Sequence, residues 1–190
     1  APGPFGLREE EMTALPCLAN VPVLETERLV LRAPRAEDTD AAIGFLTSPR
    51  ARFVDGPMDP GQAWRTWAAD VAHWVIRGYG SWIVTEKGAD TALGLVGPWH
   101  PGDWPEREIG WTVMAGAEGK GIALEAARAA RAHAFDVLGW DTAVSYIDHA
   151  NTRSIRLAER LGATPDPAAA MPPGAPCLVY RHPSPDVRTS

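Results

Sequence analysis

Apolar residues recur along this chain at two spacings, and each spacing predicts a different kind of element. Over residues 28–32, Leu29 and Leu31 alternate with polar or less apolar neighbours, the period of a half-buried strand. The segment 37–47, bounded by Pro34 and Pro49, reads as a helix. Asp59 stands before Pro60, an arrangement that caps a helix start because the carboxylate accepts backbone N–H groups and proline suits the first turn. Trp64, Trp67, Val71 and Trp74 then recur at near-helical spacing and predict a core-facing stripe. The runs 81–85 and 92–96 flank a polar turn at 87–90 and predict an antiparallel hairpin. A further strand is expected over 108–113. In the helix that follows, Ile122, Ala126, Ala130 and Ala134 share a face small enough to approach a sheet closely. Residues 141–147 read as a strand, 151–161 as a helix closed by Gly162, and 177–181 as a last strand.

These elements occupy residues 23–183, which read as one domain. Residues 1–22, with four prolines, read as an N-terminal extension holding at most one helical turn near 7–15, and 184–190 read as a frayed tail. A chain of 190 residues with 45% hydrophobic and 22% charged residues can build one sizeable core.

Charge and cysteine content narrow the chemistry. A net charge of -6 argues against non-specific nucleic-acid binding and in favour of a cationic or amine-bearing partner. Two cysteines, Cys17 and Cys177, form neither a zinc spacing nor a disulfide framework, so reduced thiols and a cytoplasmic location are expected. No apolar run reaches membrane-spanning length, and neither a membrane nor a metal is expected as a partner.

The segment Glu118, Gly119, Lys120, Gly121, Ile122, Ala123 joins the strand at 108–113 to the alanine-rich helix. A glycine-rich turn feeding a helix N-terminus presents unpaired N–H groups and the positive end of the helix dipole, a fit for phosphate; it also reads as a plain tight turn. Its glycines follow neither a Walker pattern nor a complete dinucleotide fingerprint. Downstream lies Asn151, Thr152, Arg153, Ser154 with its helix to Gly162, and upstream the segment from Leu24 to Arg32. These three segments, in this order and at this separation, resemble the GNAT N-acetyltransferases, specifically the RimJ/RimL-like branch, over residues 23–182.

The resemblance implies an α/β (α+β) GNAT fold: a mixed, mostly antiparallel central sheet, splayed at the acetyl-CoA site and flanked by helices. It implies acetyl-CoA as acetyl donor, its pantetheine amides along Trp111 and Val113 of one strand. Its pyrophosphate would lie on the N–H groups of Gly116, Glu118, Gly119, Lys120, Gly121, Ile122 and Ala123. Where the family motif carries Arg or Gln three residues before the first glycine, this chain has Gly116, which removes a side chain but leaves the backbone donors. Asn151 is expected at the pantetheine arm and Ser154 near the sulfur, with its hydroxyl able to protonate the departing thiolate. By their position alone, Asn151 also reads as a helix cap and Ser154 as a first-turn serine.

The resemblance implies Glu108 as general base, although a strand-end carboxylate also reads as merely solvated, with His100, Asp103 and His149 as alternatives that also read as exposed loop residues. Trp99 and Trp104 read either as core or as walls of an acceptor mouth where cation–π attraction holds an ammonium. The expected activity is direct acetyl transfer to a primary amine. A protein N-terminal α-amine is the acceptor that the RimJ/RimL resemblance suggests, and a polyamine, amino acid or antibiotic is the alternative. A non-catalytic acyl-CoA-binding module is the competing class, and a homodimer is compatible with the family.

Overall fold

The structure, a computed structural model, describes residues 18–174 and 176–183; the expected helical turn near 7–15 and the tail 184–190 lie outside them. Two very short strands, β1 (Leu24–Glu25) and β2 (Leu29–Arg32), open the fold. After a 3-10 turn (Ala36–Asp38) come α1 (Thr39–Leu46), a second 3-10 segment (Pro49–Phe53) and the long α2 (Pro60–Arg77). Strands β3 (Trp82–Glu86), β4 (Gly94–Trp99) and β5 (Glu108–Val113) follow. The chain then runs through α3 (Ile122–Asp136), β6 (Val144–Ile147), α4 (Thr152–Arg160), β7 (Thr164–Pro165) and β8 (Leu178–Arg181).

All eight strands form one sheet in the order β1-β2-β3-β4-β5-β6-β8-β7. Every neighbouring pair is antiparallel except β5 and β6, which run parallel with α3 as the crossover. The alternation along β3 assigns its faces. Trp82 and Val84 pack with Ile122, Ala126 and Ala130 of α3, whereas Ile83 packs with Ala42 and Leu46 of α1 and with Trp67 of α2. Glycines permit the closest strand approaches: a Cβ on Gly94 would lie 2.2 Å from the Thr112 carbonyl oxygen, and one on Gly97 would lie 2.3 Å from that of Gly80.

The helix expected at 37–47 begins as a 3-10 turn because Asp38 is committed elsewhere. Its carboxylate receives two 2.8 Å bonds from the Arg32 guanidinium and a third from the Arg35 N–H. The Asp59 cap forms as expected, its Oδ1 accepting from Gly61 and Gln62 N–H groups at 2.9 and 3.0 Å. The tryptophan stripe of α2 needs one correction. Trp67 and Trp74 are buried, but Trp64 is 60% exposed. The buried arc is centred on Ala63, Trp67 and Trp74, a spacing of i, i+4, i+11 that leaves Trp64 at its margin. The strand expected at 141–147 is shorter, starting at Val144, and the last strand starts at Leu178.

Candidate functional site

The parallel seam carries the site. Ladder pairing between β5 and β6 is confined to Glu108 opposite Val144, after which the strands part. Side chains replace the missing rungs. The Glu108 Oε1 accepts the Tyr146 backbone N–H at 3.3 Å, and the Ser145 hydroxyl donates to the Ile109 carbonyl at 2.6 Å. Glu108 thereby acts as a wedge at the root of a splay that widens toward Val113 and Ile147. Its Oε2 accepts the Trp104 indole N–H at 2.6 Å, and burial pushes its carboxyl up to about 7 despite both hydrogen bonds, which favour the ionised form.

Two cavities of about 710 and 970 Å³ flank this splay and share walls at Phe53, Trp111, Thr112, Asn151 and Ser154. Volumes of this order suit a bound small molecule. The larger one is lined by Val113, Glu118, Gly119, Gly121, Ile122 and Ala123, together with Trp111, Asn151 and Ser154. Gly116 and Lys120 are outside its lining; the Lys120 carbonyl accepts from Arg28 Nη1 at 3.1 Å. Gly116, Gly119 and Gly121 all have φ between 74° and 79°, and nothing lies within 4 Å of a Cβ placed on either of the first two. At those two positions glycine is required by the backbone conformation and not by crowding. Gly121 is also the N-cap of α3 and supplies no side-chain cap, so the first N–H groups of that helix face the cavity without an internal acceptor.

Arginines that sequence reasoning passed over surround this end. Arg50 and Arg52 come from the second 3-10 segment, and Arg153, Arg156 and Arg160 from one face of α4. The i, i+3, i+7 spacing of the last three was readable; their convergence with Arg50 was not. Glu118 pairs with Arg50 and stands 3.9 Å from Arg153, so its carboxylate orients two of these cations. Cationic side chains and free N–H groups at one end of a cleft make it suited to phosphate.

Asn151 caps α4, its Oδ1 accepting the Ser154 N–H at 3.3 Å, and it lines both cavities. Across the splay, the Trp111 indole N–H donates to Ser154 Oγ at 3.1 Å. The serine oxygen is thus held as an acceptor, and its own proton is left for a group in the cleft. The smaller cavity is lined by Glu108, Trp99, Trp104, Tyr146 and Asp55, and by Pro172, Gly174 and Pro176 of the proline-rich loop. His100 donates its N–H to the His73 ring and is outside the lining, as are the exposed Asp103 and His149. Among the described residues no group of three or more His, Cys, Asp or Glu side chains is placed to hold a metal, and no helix is long and apolar enough to cross a membrane.

The profile described as "Acetyltransferase (GNAT) domain" matches residues 28–164, well over half of the chain. The chain belongs to the GNAT acetyltransferase family. Among solved structures, the acetyltransferase from Agrobacterium tumefaciens is 39% identical, with a TM-score of 0.82, over 86% of this chain and 95% of its own. Two more distant GNAT-like structures share the fold. One, described as RimL, ribosomal L7/L12 alpha-N-protein acetyltransferase, is 15% identical over 85% of this chain and 92% of its own, with a TM-score of 0.64. The other, microcin C7 self immunity acetyltransferase MccE in complex with acetyl-CoA and AMP, is 14% identical over 83% and 92%, with a TM-score of 0.63. The mixed, mostly antiparallel sheet and its flanking helices are the GNAT fold, and GNAT acetyltransferases use acetyl-CoA as the acetyl donor.

Proposed function

We propose that this GNAT protein transfers the acetyl group of acetyl-CoA directly to a primary amine, with Glu108 as general base. The observation that carries this reading is the splay. A half-buried carboxyl, an indole-held serine hydroxyl and a phosphate-suited helix N-terminus line the two adjoining cavities that flank it, the serine shared by both. The donor would lie in the arginine-lined cavity, its pyrophosphate on the N–H groups from Gly119 to Ala123 and its pantetheine arm along Trp111, Val113 and Asn151. Arg50, Arg153, Arg156 and Arg160 would neutralise its phosphates.

The acceptor nitrogen enters from the smaller cavity. An ammonium gives a proton to the Glu108 carboxylate, and the free amine attacks the thioester carbonyl carbon, forming the C–N bond as the C–S bond breaks. Ser154 is suited to donate its hydroxyl proton to the departing thiolate and to recover the proton that the nitrogen sheds as the amide forms, so that CoA leaves as the thiol and the serine ends neutral. No covalent enzyme intermediate is needed. Pro172, Gly174 and Pro176 line the acceptor side, and their presence there favours a small amine over the protein N-terminal α-amine that a RimJ/RimL-like assignment implies.

The test begins with isothermal titration of acetyl-CoA, with ATP and NAD as controls, followed by CoA release in the presence of small amines and of peptides with free N-termini. Saturable binding of acetyl-CoA alone, with acceptor-dependent CoA release, is expected. Ser154→Ala should lower turnover more than acetyl-CoA affinity. Correctly folded protein that ignores acetyl-CoA would overturn the donor assignment, and full turnover in the serine variant would remove Ser154 from the reaction.

A further inference from the structure

The smaller cavity has a pronounced charge imbalance. Asp55, Asp70, Glu108 and Asp148 line it, against Arg52 as the one basic side chain in its described lining, and that guanidinium already lies over the Phe53 ring at 4.6 Å. Two of these four carboxyls are engaged: Glu108 is the base, and Asp148 Oδ1 accepts the Ala150 N–H at 2.7 Å. Asp55 is exposed in the loop that precedes Pro57. Asp70 is half-buried on a helix and has no such role.

Asp70 occupies a position where an amphipathic helix should place an apolar residue. Ala63, Trp67, Asp70 and Trp74 follow the i, i+4, i+7, i+11 spacing of a single helix face, and the other three are 0%, 5% and 6% exposed. Its carboxyl makes no hydrogen bond or ion pair with any described residue, and it is accessible as a cavity-facing group is, while protein encloses it elsewhere. Burial alone pushes it up to about 7. A half-buried carboxyl without a protein partner, on a helix face that is otherwise apolar, is open to a cation in the cavity.

Trp99 ties this group to the reacting centre. In the β4–β5 ladder Trp99 stands directly opposite Glu108, so the two side chains share one face of the sheet. The Trp99 ring stacks on His73 with centroids 4.4 Å apart, and His73 is one turn from Asp70 on α2. The ring of His73 is itself fixed, between the Tyr79 carbonyl at 2.7 Å and the His100 N–H at 3.1 Å. Both carboxyls line one cavity, with the Trp99 indole beside Glu108 and stacked on the ring one turn from Asp70.

We propose that Asp70 binds a second cationic centre of the acceptor, so that the substrate is a small aliphatic di- or polyamine. One nitrogen meets Glu108 and the acetyl donor, the alkyl chain passes Trp99, and the distal ammonium pairs with Asp70. This rests on the reading of the cavity as the acceptor site. It adds a selection rule: an acceptor with a second positive charge is preferred to a monoamine of equal length, and one with a carboxylate in that place is rejected.

The experiment is calorimetric titration of 1,5-diaminopentane, 1-aminopentane and 5-aminopentanoate into the full chain at pH 8, where both carboxyls are ionised. Wild type, Asp70→Asn and Asp70→Glu are compared, with thermal unfolding to verify that each variant is folded. The diamine should bind at least about tenfold more tightly than the monoamine, a preference that collapses in Asp70→Asn and is partly kept in Asp70→Glu. Equal binding of the two amines by wild type, or a preference that survives in Asp70→Asn, would overturn the proposal. CoA release is read separately. A diamine bound with Asp70-dependent preference but never acetylated would leave the cation site standing and sink the acetyl-transfer reading. Acetylation of both amines with equal kcat/KM would do the reverse.

Discussion

Glu108 joins two roles that usually fall to different residues. As a wedge it takes the Tyr146 N–H that a regular parallel ladder would have satisfied with a carbonyl, and as a buried acid its pKa is raised by loss of solvent. A base must be ionised to accept a proton, so the sign of the pH effect follows directly. With a carboxyl near 7, kcat/KM should fall about tenfold per pH unit below that point and level off above it on the Glu108 limb. Glu108→Gln should lower kcat by about two orders of magnitude and abolish that limb, as measured by CoA release between pH 5.5 and 9. An unchanged acid limb in the glutamine variant would assign it to another group. In the sequence Glu108 was legible as a candidate because it opens the strand beside the expected donor site, where the GNAT resemblance implies a glutamate base, but its loss of solvent was not. That comes from Trp104 and Tyr146, which the fold delivers from a loop and from a strand 38 residues away. Asp70 was illegible for the opposite reason: in the α2 pattern it looks like an ordinary polar break between Trp67 and Trp74.

At the scale of elements, local chemistry predicted most of what formed. The Asp59 cap, the small-residue face of α3 and the closing Gly162 depend on neighbours within a few residues, and they were readable. Trp64 was misread because a stripe can be drawn through it at helical spacing, while the buried arc is fixed by what α2 packs against. The strands β1 and β7, two residues each, carry no pattern that could reveal them. The glycine turn before α3 was legible, and its requirement has become specific. Gly121 sits at φ 77° with Arg28 Nη2 3.4 Å from where a Cβ would be. Gly121→Val should weaken acetyl-CoA binding by about tenfold or more in calorimetry, because the strained turn reorients the first N–H groups of the helix. Undiminished affinity would show that the phosphates do not use this turn.

For the whole molecule, the half-buried Asp70 and Glu108 and the buried His182 pull stability in opposite directions with pH. Asp70 and Glu108 are raised to about 7, so the folded state holds more protons than the unfolded one between the ordinary carboxyl range and pH 7. Their contribution is full at low pH and is lost as pH rises through 7. His182 is the reverse. Burial and the neighbouring Arg131 hold it down to about 3, so it opposes folding as pH falls from about 6.5 toward 3. A scan of wild type alone would see these partly cancel. The difference between Asp70→Asn and wild type isolates one of them: Tm should rise by roughly 3–8 °C at pH 8 and by much less at pH 5. A gain of equal size at both values would mean that Asp70 carries no charge penalty.

The single rung between Glu108 and Val144 bears on the molecule as a mechanical object as well. With pairing interrupted there, β1–β5 and β6–β8 are two half-sheets meeting at a hinge, held across it by Ser145, Trp111 and the long reach of Arg131 to the Leu161 carbonyl. A donor lying along the open side of β5 would take the place of an absent strand. Loading the enzyme with its substrate would then also be the last step in completing its architecture, filling the one gap in an otherwise continuous sheet.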